Sequence, residues 1–336
     1  MSGRKPTSVD VARAAGVSQS TVSYVLTGRR PISSATRRRV EDAIDRLGFV
    51  PNSGARALAG KRSQVIGLMV PFHAELDMSV NMAFVGAIAE GARSRDHDVL
   101  LVTADEGPAA LHRLRDTRLC DAIILMDVER EDPRVAAARD LGVPVVVIGL
   151  PRDHAGVTCV DLDFESAGRA AVRALVERGH REVGVISPAS GPGRPDMSFA
   201  DRFLAGARTA AGDIELCCVE SRASYDDLRS AVGRVRTALP GCRALVVHHS
   251  AAVEPMVQVL RSAGLVPGAA LDLVGVCSPT VAEHLATQVD AVLLQPEQVS
   301  RRAMSVLFEL LEQTGAESSG GQVHLVPAPF VPRSGG

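Results

Sequence analysis

A small all-α head followed by a larger two-lobed α/β body with parallel sheets is the fold class this sequence predicts. Three observations predict it. Residues 8–47 place apolar side chains at helical spacing in three short stretches, punctuated by Gly16 and Gly48. From Gln64 onward, short Val/Ile/Leu runs alternate with helical stretches, the pattern of repeated β-α units. The charge divides at the same place. Residues 1–62 carry 12 Lys and Arg against 4 Asp and Glu, net +8, and the remaining 274 residues carry 25 against 35, net −10. A basic segment on an acidic body is the electrostatic footprint of nucleic-acid binding confined to one end; a solvated basic face without a partner is the plainer alternative.

The first helix is expected from about Ser8 to Ala15, with Ser8 as N-cap and Asp10 in its first turn, where an acid suits the helix dipole. Val11, Ala12 and Ala15 form its apolar stripe. Gly16 lies in the turn. The second helix begins after Ser18 and turns Val22, Val25 and Leu26 inward, leaving Gln19, Ser20, Ser23 and Tyr24 outside. Two short helices joined by a tight turn are a helix-turn-helix, whose second helix enters the DNA major groove. Gln19 and Ser20 sit at the end that reaches base edges, and Gln makes a bidentate contact to adenine. Ser18, Thr21, Ser33 and Thr36 are placed to bond phosphates, which fix register without reading sequence, and Thr7 is a further DNA-binding candidate; for Ser18 and Ser33 an ordinary helix cap is the competing role. The third helix starts near Ser34, carries Val40, Ala43, Ile44 and Leu47, and ends at Gly48.

Pro51 and Gly60 bracket a further helix of about two turns, too short to be stable alone. Within it Leu58, flanked by Arg56, Lys61 and Arg62, suits an apolar wedge entering the minor groove; a plain linker is the alternative.

The elements Asp10-Val11-Ala12, Ala15-Gly16-Val17-Ser18, Thr21-Val22-Ser23, Thr36-Arg37, Pro51-Asn52 and Ala55-x-x-Leu58 together resemble the head of the lactose-repressor (LacI/GalR) family. The resemblance implies a homodimer on a palindromic double-stranded DNA operator. Paired hinge helices would insert Leu58 at its centre, often at a CpG step, with Asn52, Arg56 and Lys61 beside it. It also implies that Gln19, Ser20 and Tyr24 read bases. Elsewhere in the family the Tyr24 position is often Arg or His, so the operator sequence does not transfer.

In the body the strand-like runs are 65–70, 99–103, 122–126, 143–148, 157–160, 183–186, 216–219, 244–247, 273–276 and 291–294. Helical stretches fall at 80–95, 130–141, 164–178, 198–212, 225–238, 251–263 and 297–314. Continuous apolar strands mean parallel sheets covered on both faces, and ten strands exceed one sheet comfortably. The expected division is 1–50 head, 51–62 hinge helix and 63–336 body, with a first lobe of about 63–160 plus 291–324 and a second of about 161–290 plus 325–336. Ligands of such folds sit beyond the carboxyl ends of strands, here between the lobes.

Apolar residues make up 46% of the 336, enough for large cores, and with 3% aromatics and no Trp those cores are aliphatic. No apolar run is long enough to span a bilayer, and polar Ser2, Gly3, Arg4 and Lys5 replace a signal core, so a cytoplasmic protein without membrane partner is expected. The six Cys (120, 159, 217, 218, 242 and 277) show no metal or redox spacing; Cys217-Cys218 is read as buried thiols, with a thiol sensor as the alternative. No metal or cofactor is expected. Ser190-Gly191-Pro192-Gly193 reads as a loop, and there is no Gly-x-Ser-x-Gly, His-Glu-x-x-His or Walker motif. His248-His249 at a strand end could bind metal, but adjacent residues on a strand point to opposite faces, which makes a shared ion the lesser reading; the pairs Asp161-x-Asp163 and Asp226-Asp227 lack a catalytic partner, so no enzyme is expected.

The body, more loosely, resembles the periplasmic-binding-protein-like core of the same family through Asp163, Gly179-His180-Arg181, Leu204-Ala205-Gly206, Val274-Gly275, Gln295-Pro296 and Arg333-Ser334. In that family an Arg three residues before the landmark Gly, an Asn-Asp pair and an Asp grip a sugar-like effector. Those positions here are Phe203 (beside Arg202), His249-Ser250 and Cys277. The resemblance therefore implies an unidentified small effector that is more apolar or aromatic, a modified sugar held by other residues, or none. Phe72, Phe84, Arg202, Phe203, His249 and Cys277 are the effector candidates, with core packing the alternative for Phe72 and Phe84. No heptad tail follows Arg333, so a dimer is expected. The resulting expectation is a repressor controlled by a small ligand. The alternatives are control by a protein partner or no small effector, and a small-molecule binding protein without regulatory role.

Overall fold

The computed structural model describes residues 6–27, 30–49, 62–70, 77–103, 106–190, 196–285, 287, 289–313 and 321–333. The expectations for Asn52, Arg56, Leu58, Lys61 and Phe72 lie outside the described residues.

The head is three helices, α1 (Ser8–Ala15), α2 (Gln19–Thr27) and α3 (Ser34–Leu47), around a core of Val11, Ala12, Ala15, Val22, Val25, Val40 and Ala43. The cap of α1 is Thr7, one residue before the expected Ser8. Thr7 Oγ1 accepts from the Asp10 amide at 3.4 Å and the Asp10 carboxylate accepts from the Thr7 amide at 2.9 Å, a reciprocal capping box. Asp10 is what shifts the cap, because only the residue three positions before it closes this box. Gly16 (φ 64°) and Gly48 (φ 60°) end α1 and α3 in the left-handed region, where a side chain would be strained.

The body holds two six-stranded sheets. The first runs β11-β5-β4-β3-β1-β2, built from β1 (Val65–Val70), β2 (Asp98–Thr103), β3 (Ala122–Met126), β4 (Val145–Ile148), β5 (Thr158–Leu162) and β11 (Val323–Val326), all parallel. The second runs β12-β10-β9-β8-β6-β7, from β6 (Glu182–Pro188), β7 (Glu215–Ser221), β8 (Ala244–Val247), β9 (Asp272–Cys277), β10 (Asp290–Leu293) and the antiparallel edge β12 (Phe330–Val331). Every residue of β3, β4, β5 and β8 is buried, as helices on both faces require. In the first lobe these helices are α4 (Met78–Arg93), α5 (Pro108–Thr117), α6 (Pro133–Ala138) and α12 (Pro296–Glu312). In the second they are α7 (Phe164–Glu177), α8 (Ser198–Ala211), α9 (Tyr225–Ala238), α10 (Ser250–Ser262) and α11 (Pro279–His284).

The chain crosses between lobes after β5, after β10 and after β11. The expected boundaries move accordingly. β10 (Asp290–Leu293) belongs to the second sheet although residues 291–324 were assigned to the first lobe, and β11 stays in the first sheet through Val326. The apolar runs of the two lobes are alike, so pattern alone does not say which sheet a strand joins. Helices α5 and α11 and strands β11 and β12 add to the expected elements; they are short or half exposed and leave a weak apolar signature.

Helices α7 and α8 pack backbone to backbone. A Cβ on Gly206 would run into the Glu165 carbonyl, and one on Gly168 into the Phe203 carbonyl. This contact explains the Leu204-Ala205-Gly206 landmark as a packing glycine, and it seats α7 and α8 beside the lobe junction.

Candidate functional site

Two regions carry chemistry. On the head, Ser18 caps α2: its hydroxyl accepts from the Thr21 amide at 3.1 Å and lies 2.8 Å from both the Ser20 and Thr21 hydroxyls. Ser33 caps α3, accepting from the Thr36 amide at 3.3 Å and donating to the Thr36 hydroxyl at 2.9 Å. These caps leave the first amides of each helix directed outward, an arrangement suited to anions. Gln19, Ser20 and Ser23 are exposed, and Thr7, Thr21, Thr36 and Tyr24 are half-buried. The Gln19 amide nitrogen donates to Ser8 Oγ at 3.0 Å, parking the side chain across the turn. The Arg30 guanidinium stands 5.6 Å from the Tyr24 ring centroid, so this ring and a cation share one face. Arg13, Arg37, Arg38, Arg39 and Arg46 are exposed on the same three-helix unit.

The second region is a cavity of about 490 Å³ between the lobes, within the size range of small-molecule sites. Strand ends build it. Met126 ends β3 with Asp127 and Val128 after it, Leu162 ends β5 with Phe164 beyond it, and His248, His249 and Ser250 follow β8. Asp77, the cap of α4, lines it too, and helices add Asn81 and Phe84 from α4, Phe199 from α8 and Val299 from α12.

Of the expected effector residues, Phe84 and His249 line this cavity. Arg202, Phe203 and Cys277 do not. Phe203 is fully buried and stacks on His248, ring centroids 3.8 Å apart and planes within 9°. Cys277 is fully buried, and its thiol is pushed up to about 12 by burial and the Asp77 charge. Arg202 is turned onto the Asp161 carboxylate and the Leu162 carbonyl, with Phe164 beneath the guanidinium. Burial pushes the Asp161 carboxyl up, and Arg202 opposes that push. Of the three family grip positions, Phe203 and Cys277 serve the core and only His249-Ser250 lies on the wall, while Arg202 beside Phe203 serves an ion pair.

Residues that sequence reasoning missed do line it: Asp77, Asn81, Phe164, Phe199 and His248. His248 is 2% exposed and edge-on to Phe199, with centroids 5.5 Å apart. Burial, with His249 and Arg202 nearby, drives its pKa down to about 3, so the imidazole is neutral. Asp77 caps α4 through the Ser79 and Val80 amides at 3.1 and 3.2 Å and accepts from the Ser250 hydroxyl across the cleft. Burial pushes its carboxyl up, but the bonds from Ser250, Ser79 and Val80 outweigh burial and hold it below the usual carboxylate range. Arg130 forms a second bridge between lobes, to Asp196 at 2.9 Å and to Asp201. Among the described residues, no cluster of His, Cys, Asp and Glu is arranged to hold a metal, and no helix is long and apolar enough to cross a membrane.

Comparisons with known proteins agree with this division. Residues 8–52 match the family model described as bacterial regulatory proteins, lacI family, and residues 172–334 match that of a periplasmic binding protein-like domain. The HTH-type transcriptional regulator CelR of Thermobifida fusca is 31% identical over 329 residues, covering 91% of each chain. The HTH-type transcriptional regulator AglR of Rhizobium meliloti (strain 1021) is 34% identical over 184 residues, 53% of this chain and 51% of that one. Among solved structures, a CelR–cellobiose complex superposes with a TM-score of 0.69 at 26% identity, covering 98% of this chain and 100% of that one. A Lac repressor dimer bound to operator and the anti-inducer ONPF has a TM-score of 0.83 at 21% identity over 98% of each chain, a likeness of fold.

Proposed function

This chain belongs to the LacI family of bacterial regulatory proteins, and from that premise we propose that it is a homodimeric repressor that binds a palindromic operator and is controlled by a small ligand between its lobes. It is a DNA-binding transcriptional regulator, and its family consists of regulators rather than enzymes. The observation that carries the finer reading is the outer face of α2, where Gln19 and Ser20 stand exposed at the helix N-terminus beside the cap formed by Ser18. Gln19, Ser20 and Tyr24 read base edges. Thr7, Ser18, Thr21, Ser23, Ser33 and Thr36 contact phosphates, through their hydroxyls or the amides they leave directed outward. A cytoplasmic location is part of this reading, since its target is DNA.

Control follows from the bridges between lobes. A ligand that binds one lobe angle better than another shifts the population toward it. Asp77–Ser250 and Arg130–Asp196 are the contacts such a shift makes or breaks. CelR has been solved as a complex with cellobiose, so a small-molecule ligand has a precedent in a relative.

Selection of genomic DNA fragments by the full-length protein at near-physiological salt tests the reading, with Gln19→Ala run in parallel. The expected result is a short palindrome recovered by the wild type and a different or degenerate set recovered by the variant. Random fragments recovered equally by both, and released together by salt, would overturn it.

A further inference from the structure

The charged groups on the cavity wall are already spent within the protein. Asp161 is held by Arg202, which does not itself line the cavity, and Asp77 accepts from Ser79, Val80 and Ser250. Asp127 and Arg222 also have partners of their own. A charged ligand would have to break one of these bonds or remain unpaired in a partly closed space, which is unfavourable on either count.

Against that, three aromatic rings face the cavity from separate elements. Phe84 comes from the first lobe on α4, Phe199 from the second on α8, and Phe164 from the junction after β5. Phe164 and Phe199 pack with centroids 5.1 Å apart and planes 30° apart, and His248 extends this group toward Phe203 as an uncharged ring. Aromatic groups favour offset or edge contacts with further rings. Asn81 Nδ2, also on α4, is buried without a partner, so a carbonyl or hydroxyl placed there meets a donor that nothing else uses.

We infer that the cavity takes an uncharged ligand bearing an aromatic ring, with the ring against Phe84, Phe164 and Phe199 and an acceptor oxygen toward Asn81. This deepens the regulator reading and rests on it. Because Phe84 and Phe199 belong to different lobes, such a ring touches both at once, and its binding is coupled to the lobe angle. An ordinary charged metabolite fits neither half of this description.

The neutral, polarity-sensitive naphthylamine probe 6-propionyl-2-(dimethylamino)naphthalene, whose ketone supplies the acceptor oxygen, titrated into the full-length protein, tests the inference. Expected is a saturable, blue-shifted emission at one site per chain, weakened at least tenfold by Phe199→Ser and less by Phe199→Leu, which keeps apolar volume but loses the ring. Melting curves of both variants verify that they fold, and Phe84→Ser supplies an independent variant from the other lobe. Absence of saturable binding would overturn the inference. Binding unchanged in Phe199→Ser and Phe84→Ser would also do so, as would thermal stabilisation by cellobiose or glucosamine with no binding of the naphthylamine. Recovery of an operator without probe binding removes the ligand class alone, and probe binding without operator selection removes the regulator reading alone.

Discussion

The head and the body solve the problem of placing polar groups at different ranges. In the head, each cap joins residues three apart: Thr7 with Asp10, Ser18 with Thr21, Ser33 with Thr36. In the body, the cavity wall draws on residues from Asp77 to Val299, and its bridges span 66 residues between Arg130 and Asp196 and 173 between Asp77 and Ser250. Local geometry orients the outward groups of the head, while tertiary packing orients those that line the cavity. Damage to the packing of one region should therefore leave the other working, and three substitutions or titrations probe how far that independence goes.

The largest effect is expected from Val22→Asp. Val22 is fully buried in the head core, and an unpaired carboxylate there costs more than three small helices can supply. Operator binding should fall at least 100-fold, on the order expected for loss of the fold of the head. The melting transition of the body should not move; if it does, the two regions are coupled more tightly than their contacts indicate.

Gly206→Ala reverses the pattern. The added methyl meets the Glu165 backbone, which cannot rotate away as a side chain would. Overpacking of this kind costs about 1–3 kcal/mol, and more where backbone must shift. Calorimetry should show a lower melting temperature for the body. Circular dichroism of the isolated transition of the head should be unchanged.

The smallest of the three is acid sensitivity of the second lobe. Asp272 accepts from His180 Nε2 at 2.7 Å and from Arg333 at 3.0 Å, near the Arg178–Asp290 pair. Burial pushes the Asp272 carboxyl up, but His180, Arg333 and Arg178 outweigh burial and hold it below its ordinary value. A depressed folded pKa means stability that is full above the unfolded value and lost as pH falls through the folded one. The body should lose stability on acidification below about pH 4, near the ordinary Asp value. Asp272→Asn should flatten that loss, and an equal slope in the variant would assign the acid sensitivity elsewhere.

Legibility in the sequence follows the same distinction. The three head helices, the turn at Gly16 and the outward residues of α2 could be read because apolar spacing and caps are local signals; the cap itself moved one residue, to Thr7, because of its partner Asp10. The body strands were legible as apolar runs, but not which sheet each joins, and β10 was placed in the wrong lobe for that reason. Phe203 sits at a position of family interest, yet its direction depends on a helix pressed against α7 through Gly206, so it faces the core and His248. Phe164 and Phe199 were missed because nothing in their own neighbourhood marks them. The usable signal was positional: Phe164 follows a strand's carboxyl end, as do His248 and Asp127, and such ends are where α/β folds place ligands.

Titration of the recovered palindrome against a random duplex asks whether the outer face of α2 reads DNA sequence. Wild type and Gln19→Ala would be compared at two salt concentrations. Wild type should prefer the palindrome by about 10³ or more. Gln19→Ala should lose about 1–3 kcal/mol of discrimination at one symmetric base position, with the salt slope unchanged. Equal affinity of wild type for both duplexes, falling together as salt rises, would mean that α2 does not read sequence.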